Sequence, residues 1–171
     1  MNRTYVLERT QTIPAPVEEV FSFFSDAANL ETITPAFLRF RILTPLPVAM
    51  REGARIEYAL SLFGVPFRWR TRITRWEPGA CFVDEQESGP YVLWRHTHAF
   101  EAGAGSTTMH DRVEYALPLG PVGGAVRAVF VKGALDRIFD YRRDAIARIF
   151  PGNALPLPEE AARKRGEETV G

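Results

Sequence analysis

At 171 residues the chain has the length of one domain with a substantial core, and a content of 46% hydrophobic and 12% aromatic residues excludes general disorder. Its 21 basic and 21 acidic side chains balance, so no net field draws polyanions and no nucleic-acid partner is expected. Cys81 is the single cysteine, which excludes an intramolecular disulfide; it reads as a small core hydrophobe rather than a catalytic thiol.

Met1 to Tyr5 lack the apolar core of a signal peptide, and no apolar run approaches the ~18 residues needed to span a bilayer. A cytoplasmic location without a transmembrane segment is the expectation. Tyr5 to Ile13 predicts a strand that ends at Pro14-Ala15-Pro16. Val17, Val20, Phe21 and Phe24 then recur at helical spacing, with Glu18 and Glu19 suited to the positive helix start. Ser25-Asp26 offers a second N-cap for a short helix over Ala27 to Ile33, before Pro35.

From Phe37 the period changes to two. Leu38, Phe40 and Ile42 alternate with Arg39, Arg41 and Leu43, and Ile56, Tyr58, Leu60 and Leu62 form a second half-buried run. In Phe67 to Thr74, Arg68, Arg70 and Arg72 share one face; such a stripe on an alternating strand is read as the solvated outer face rather than a phosphate reader. Strands over Cys81 to Gln86, Tyr91 to Phe100 and Thr107 to Leu117 follow, separated by Glu77-Pro78-Gly79-Ala80, Ser88-Gly89-Pro90 and a loop around Ala104.

Val122 to Phe150 predicts one long helix. Its apolar stripe is Val126, Phe130, Ala134, Ile138, Tyr141, Ala145 and Ile149, with Arg127, Lys132, Asp136, Arg142, Arg143 and Asp144 lying mostly elsewhere. Residues 1–150 are expected to form the domain and residues 151–171 a charged, flexible tail.

This order resembles the helix-grip, or Bet v 1-like, superfamily of the birch-pollen allergen, lipid-transfer START domains and aromatic polyketide cyclases. Within it the chain is most similar to bacterial ligand-binding SRPBCC domains. The resemblance is carried by Ile13-Pro14-Ala15-Pro16-Val17-Glu18-Glu19-Val20-Phe21, Asp84 to Tyr91, Trp94-Arg95-His96-Thr97-His98-Ala99-Phe100 and Asp111 to Gly120, and covers about residues 4 to 150. It implies an α+β fold in which a seven-stranded curved antiparallel sheet wraps the last helix, with two short helices after the first strand. It also implies a cavity between sheet and helix for a hydrophobic guest.

The turns give a register. A hairpin tip at Ala104 sets His96 opposite Asp111, His98 opposite Met109 and Trp94 opposite Val113. The Pro78-Gly79 turn sets Trp76 opposite Cys81, Arg75 opposite Phe82, Ile73 opposite Asp84 and Thr71 opposite Gln86. The concave face then carries apolar Trp69, Ile73, Phe82, Trp94, Phe100, Val113 and Tyr115. Polar Thr71, Arg75, Asp84, Gln86, His96, His98 and Asp111 join them, and Val126, Phe130, Ala134, Ile138 and Tyr141 form the helical lid.

His96, His98 and Asp111 are the sharpest constellation, and three readings stand. They form a self-satisfied buried network, or a group that orients a ligand or moves protons, or a metal site. Metal has the weakest case, because no cysteine is near and His110 points to the other face; no metal and no cofactor are expected. Arg75 with Asp84 is either a buried ion pair or a clamp for a ligand carboxylate. The leading functional expectation is binding or carriage of a hydrophobic or aromatic small molecule. The alternative is a polyketide cyclase- or dehydratase-like enzyme in which His96 or His98 moves a proton while Arg75 or Tyr115 steadies an enolate. A protein-interaction module rests on analogy alone, and a homodimer is compatible with the sequence without being specified by it.

Overall fold

Alternation of apolar and polar side chains along successive segments builds one sheet, because each strand then has one face to bury and one to leave in water. The computed structural model describes residues 3–62, 64–118 and 121–152, with 121–129 described by backbone alone. Its strands are β1 (Thr4–Ile13), β2 (Arg41–Ile42), β3 (Arg55–Leu62), β4 (Val65–Glu77), β5 (Cys81–Ser88), β6 (Leu93–Ala102) and β7 (Thr107–Ala116). Helix α1 (Val17–Ser25) follows β1, and α2 (Pro121–Ile149) closes the described fold. All pairings are antiparallel in the order β1-β7-β6-β5-β4-β3-β2, which is the expected α+β helix-grip arrangement.

The expected second short helix is only a 3-10 turn over Ala27–Leu30, where the Asp26 side chain accepts from the Ala28 amide at 2.9 Å. The strand expected from Phe37 is also shorter. Ala36–Leu38 form another 3-10 turn that ends on left-handed Arg39 (φ 47°), and only Arg41 and Ile42 pair with β3. The second turn cuts the strand short because left-handed Arg39 is a backbone break that alternation does not register.

Two registers differ from expectation. The β6–β7 loop closes with Ala102 opposite Thr107, so His98 faces Asp111, His96 faces Val113 and Trp94 faces Tyr115. That is a two-residue offset, and because side chains alternate every residue each keeps its face. In β4 the pairs Thr71–Gln86 and Ile73–Asp84 form as expected, but a bulge between Ile73 and Arg75 shifts the phase beyond them. Trp76 therefore faces Phe82 and packs inward, with ring centroids 5.7 Å apart.

Helix α2 is turned relative to the expected lid. Ala134, Leu135, Phe139, Ala145 and Ile146 are buried, whereas Phe130 is 63% and Tyr141 38% exposed. At 100° per residue the buried stripe lies roughly 80° from the predicted one. The Val126 side chain and residues 153–171, which hold nearly all of the expected tail, lie outside the described residues. The helix is tied to the sheet edge by Arg9 Nη2 on Asp136 Oδ1 (2.5 Å) and by Gln11 Nε2 donating to the Arg143 carbonyl (3.0 Å).

The core divides into two clusters. One gathers Phe21 and Phe24 of α1 with Ile73, Phe82, Phe100, Met109, Ile146 and Phe150. The other gathers Trp69, Tyr91, Val113 and Tyr115 with Leu135 and Phe139. Each fully buried apolar side chain, such as Ile73 or Met109, contributes about 1.5–3 kcal/mol. Among the described residues no helix is long and apolar enough to cross a membrane.

Candidate functional site

Between the concave face and α2 lies a partly open cavity of about 190 Å³. Of the expected liners, Trp69, Thr71, Ile73, Phe82, Asp84 and Trp94 reach it from the sheet, as do His96 and His98, and Ala134 and Ile138 reach it from α2. Phe100, Val113 and Tyr115 are buried but lie in the surrounding core rather than on the wall. Gln86 instead spans the β5–β6 connection, donating to the Tyr91 carbonyl at 2.7 Å and accepting from its amide at 3.3 Å.

Arg75 is a correction. The bulge before it directs its side chain outward, where it is 55% exposed and pairs with Glu77 at 2.8 Å. It therefore neither clamps a guest nor pairs with Asp84. Phe130 and Tyr141 are likewise removed from the lid by their exposure.

The wall also contains residues absent from the expected set. Phe24, Leu30 and Leu38 close one side, Tyr58 and Leu60 come from β3, and Leu135, Phe139 and Arg142 come from α2. Tyr58 and Leu60 belong to an alternating run whose inward face was legible. Arg142 had no such signal, since a charged residue at helical spacing is usually placed on the wet side. Its guanidinium instead lies over Phe24, 5.2 Å from the ring centroid, and over Phe139 at 5.9 Å. Arg142 Nε and Trp69 Nε1 are buried donors without an acceptor among the described residues.

At the polar end four side chains from three strands meet. His96 Nε2 and Asp111 Oδ1 are 2.8 Å apart, and His98 Nε2 and Asp84 Oδ2 3.0 Å. His98 Nδ1 is 3.1 Å from Asp111 Oδ1 but off the hydrogen-bonding direction, and His96 Nδ1 is 3.7 Å from Asp84 Oδ2. Thr71 Oγ1 lies 3.2 Å from Asp84 Oδ1 and 3.1 Å from the Glu85 carbonyl, a single proton serving either acceptor. The imidazoles are side by side, centroids 3.8 Å apart, with His98 stacked on Phe82 at 4.2 Å. His110 lies on the outer face, 3.0 Å from Thr10 Oγ1.

Burial opposes ionisation of every member, so their bonds decide the outcome. Burial works to raise the Asp84 carboxyl, but the His98 hydrogen bond and the two histidine charges outweigh it and leave it below the ordinary range. Asp111 is held well below that range: burial is again the largest opposing effect, overcome by the Arg142 charge and by both histidines. Burial and the adjacent His98 lower the His96 pKa. For His98, burial is outweighed by the adjacent Asp111 carboxylate and the Asp84 hydrogen bond, and its pKa is raised. An ionised Asp111 only accepts, so the His96 proton sits on Nε2 and its Nδ1 carries the lone pair.

The family model for polyketide cyclase/dehydrase and lipid transport matches residues 5–150. The chain belongs to this family. The chain shares its fold with solved structures at low identity. An aromatase/cyclase, ZhuI of Streptomyces sp. R1128, is 13% identical over 84% of this chain and 92% of its own, with TM-score 0.68. A START superfamily protein from Mycobacterium smegmatis is 13% identical over 84% and 98%, with TM-score 0.63. Norcoclaurine synthase from Thalictrum, solved with a transition-state analogue, is 13% identical over 86% and 97%, with TM-score 0.60. No curated protein matches the chain by sequence. The family spans ligand binding and cyclase-type chemistry, and this chain's fold and cavity accord with either.

Proposed function

We propose that this protein binds or carries a compact apolar or aromatic molecule in the cavity between the sheet and α2. The observation that carries the reading is the cavity itself: largely apolar walls from both layers, with a polar end made by Asp84, His96 and His98. Size narrows the guest. The cavity of about 190 Å³ slightly exceeds the about 150 Å³ that holds benzene and falls below the about 300 Å³ at which drug-sized pockets begin. A guest of one or two rings suits it better than a long acyl chain.

Chemistry narrows it further. A buried donor without an acceptor costs about 1–3 kcal/mol, and Trp69 Nε1 and Arg142 Nε are two such donors on cavity-lining side chains. A guest bearing a carbonyl, phenolic or carboxylate oxygen recovers part of that cost. The aromatase/cyclase among the structural neighbours is in keeping with a ring-bearing guest.

The test is titration of the full chain with an environment-sensitive naphthalene dye, followed by displacement with small oxygenated aromatics. One site per chain, lost in a cavity-filling Leu135→Trp variant that keeps its circular dichroism, is the expected result. No uptake, or uptake indifferent to Leu135→Trp, overturns the reading. At a guest concentration of 100 Kd the domain gains about 2.7 kcal/mol, a rise in Tm of about 5–11 °C.

A second reading, a cyclase- or dehydratase-type reaction on the guest, is favoured by His96 and His98 opening on the cavity. It requires turnover of a polyketide-like or enone substrate, lost in His96→Ala or His98→Ala while the fold is retained. Full turnover in both variants excludes it.

A further inference from the structure

Asp84, one of the two acids of the polar cluster, was expected to act with Arg75 as an ion pair or a carboxylate clamp. With Arg75 outside, Asp84 stands instead against both histidines. Asp84 Oδ2 is 3.0 Å from His98 Nε2 and 3.7 Å from His96 Nδ1, and one atom from each of the three residues falls within a common span of 4.8 Å. Two ligand atoms that share an ion at about 2.1 Å, subtending about 90–110°, lie about 3.0–3.4 Å apart. The His98 spacing of 3.0 Å falls at the lower end of that range, and the His96 spacing of 3.7 Å lies about 0.3 Å beyond its upper end.

We propose that Asp84, His96 and His98 form a two-histidine, one-carboxylate site for a divalent transition-metal cation, with Asp111 as the outer carboxylate that orients His96. Asp111 Oδ1 takes the nitrogen that the His96 ring would leave free, Nε2 at 2.8 Å, while His98 Nδ1, 3.1 Å away, lies off the hydrogen-bonding direction. With its proton on Nε2, His96 turns an electron pair rather than a proton to the side of Asp84, and an electron pair 3.7 Å from an anionic oxygen calls for a cation between them.

The His96 and His98 side chains are only 7% and 5% exposed and their rings lie 3.8 Å apart, so both are held close to Asp84 in the cavity wall. Asp84 and both histidines line the cavity, so the remaining coordination positions face the space where a guest oxygen would sit. Imidazole and carboxylate together suit zinc or ferrous iron, and a set with open positions is the arrangement seen in catalytic rather than structural sites. The site does not depend on guest binding: a metal-free result would leave the dye titration above unaffected.

The test uses the tag-free full chain, stripped with chelator and titrated with Zn(II) by calorimetry and elemental analysis. One Zn(II) per chain is expected. Asp84→Asn, His96→Gln and His98→Gln should each weaken it by at least about 100-fold, and Asp111→Asn by about 10–100-fold. His110→Gln, on the outer face, should leave it unchanged. A readout free of variants is the imidazole NMR spectrum of the unaltered chain, where Zn(II) should move the His96 and His98 resonances and not those of His110. Substoichiometric uptake, or movement of His110 instead, overturns the site and leaves the cluster as a self-contained hydrogen-bond network.

Discussion

Single residues decide what the cavity can read. Trp69 contributes a large apolar face to the wall and an indole N–H without an acceptor among the described residues, so its two parts can be separated. Trp69→Phe is expected to weaken an oxygen-bearing guest by about two- to tenfold, the worth of one neutral hydrogen bond of about 0.5–1.5 kcal/mol, while changing a pure hydrocarbon less. Equal losses for both guests in a paired titration would remove Trp69 as a polar contact. Cys81 shows the opposite case, a residue with chemistry it does not use. It is 7% exposed, and burial raises its thiol pKa, with Glu77 adding to the rise and Arg75 opposing it. Its labelling by an aromatic disulfide reagent at pH 8 should be slow in the folded protein and reach one thiol per chain in denaturant; rapid native labelling would contradict the burial.

The elements show how much could be read from the sequence and where reading stopped. Faces were legible almost throughout the sheet. The β6–β7 hairpin is offset by two residues from expectation, yet His96, His98 and Asp111 still share a face because the period of a strand is two. A bulge has no such protection. Around Thr74 neither glycine nor proline marks it, so Arg75 was assigned inward and Trp76 outward, the reverse of what the extra residue produces. Helix α2 was misread for a different reason: excluding charged residues from the buried stripe pulled its centre away from Arg142 and toward Phe130 and Tyr141. Metal binding was ranked last because no cysteine is near and His110 points to the other face, and Asp84 was read with Arg75 rather than with the histidines it contacts. The helix face has a direct check. Phe139→Ala should cost about 3–5 kcal/mol and Phe130→Ala within about 0.5 kcal/mol in denaturant unfolding; the reverse order would return the helix to its expected orientation.

At the scale of the whole molecule, the two apolar clusters and the polar site between them divide the labour. The cluster of Phe21, Met109, Ile146 and Phe150 joins α1 to the C-terminal end of α2, and reaches the cavity only through Phe24, Ile73 and Phe82 among its buried members. The cluster of Trp69, Leu135 and Phe139 forms much of the cavity wall. Amides around Met109 and Ile146 should exchange with solvent only on global unfolding, and those around Trp69 and Leu135 through smaller openings that a guest suppresses. Hydrogen-exchange mass spectrometry with and without guest distinguishes this from uniform protection of both regions. The split core then has a kinetic meaning. Under the proposed binding function, a guest can leave when the Trp69 and Leu135 cluster loosens, so its residence time would be set by that local event and not by the lifetime of the native chain.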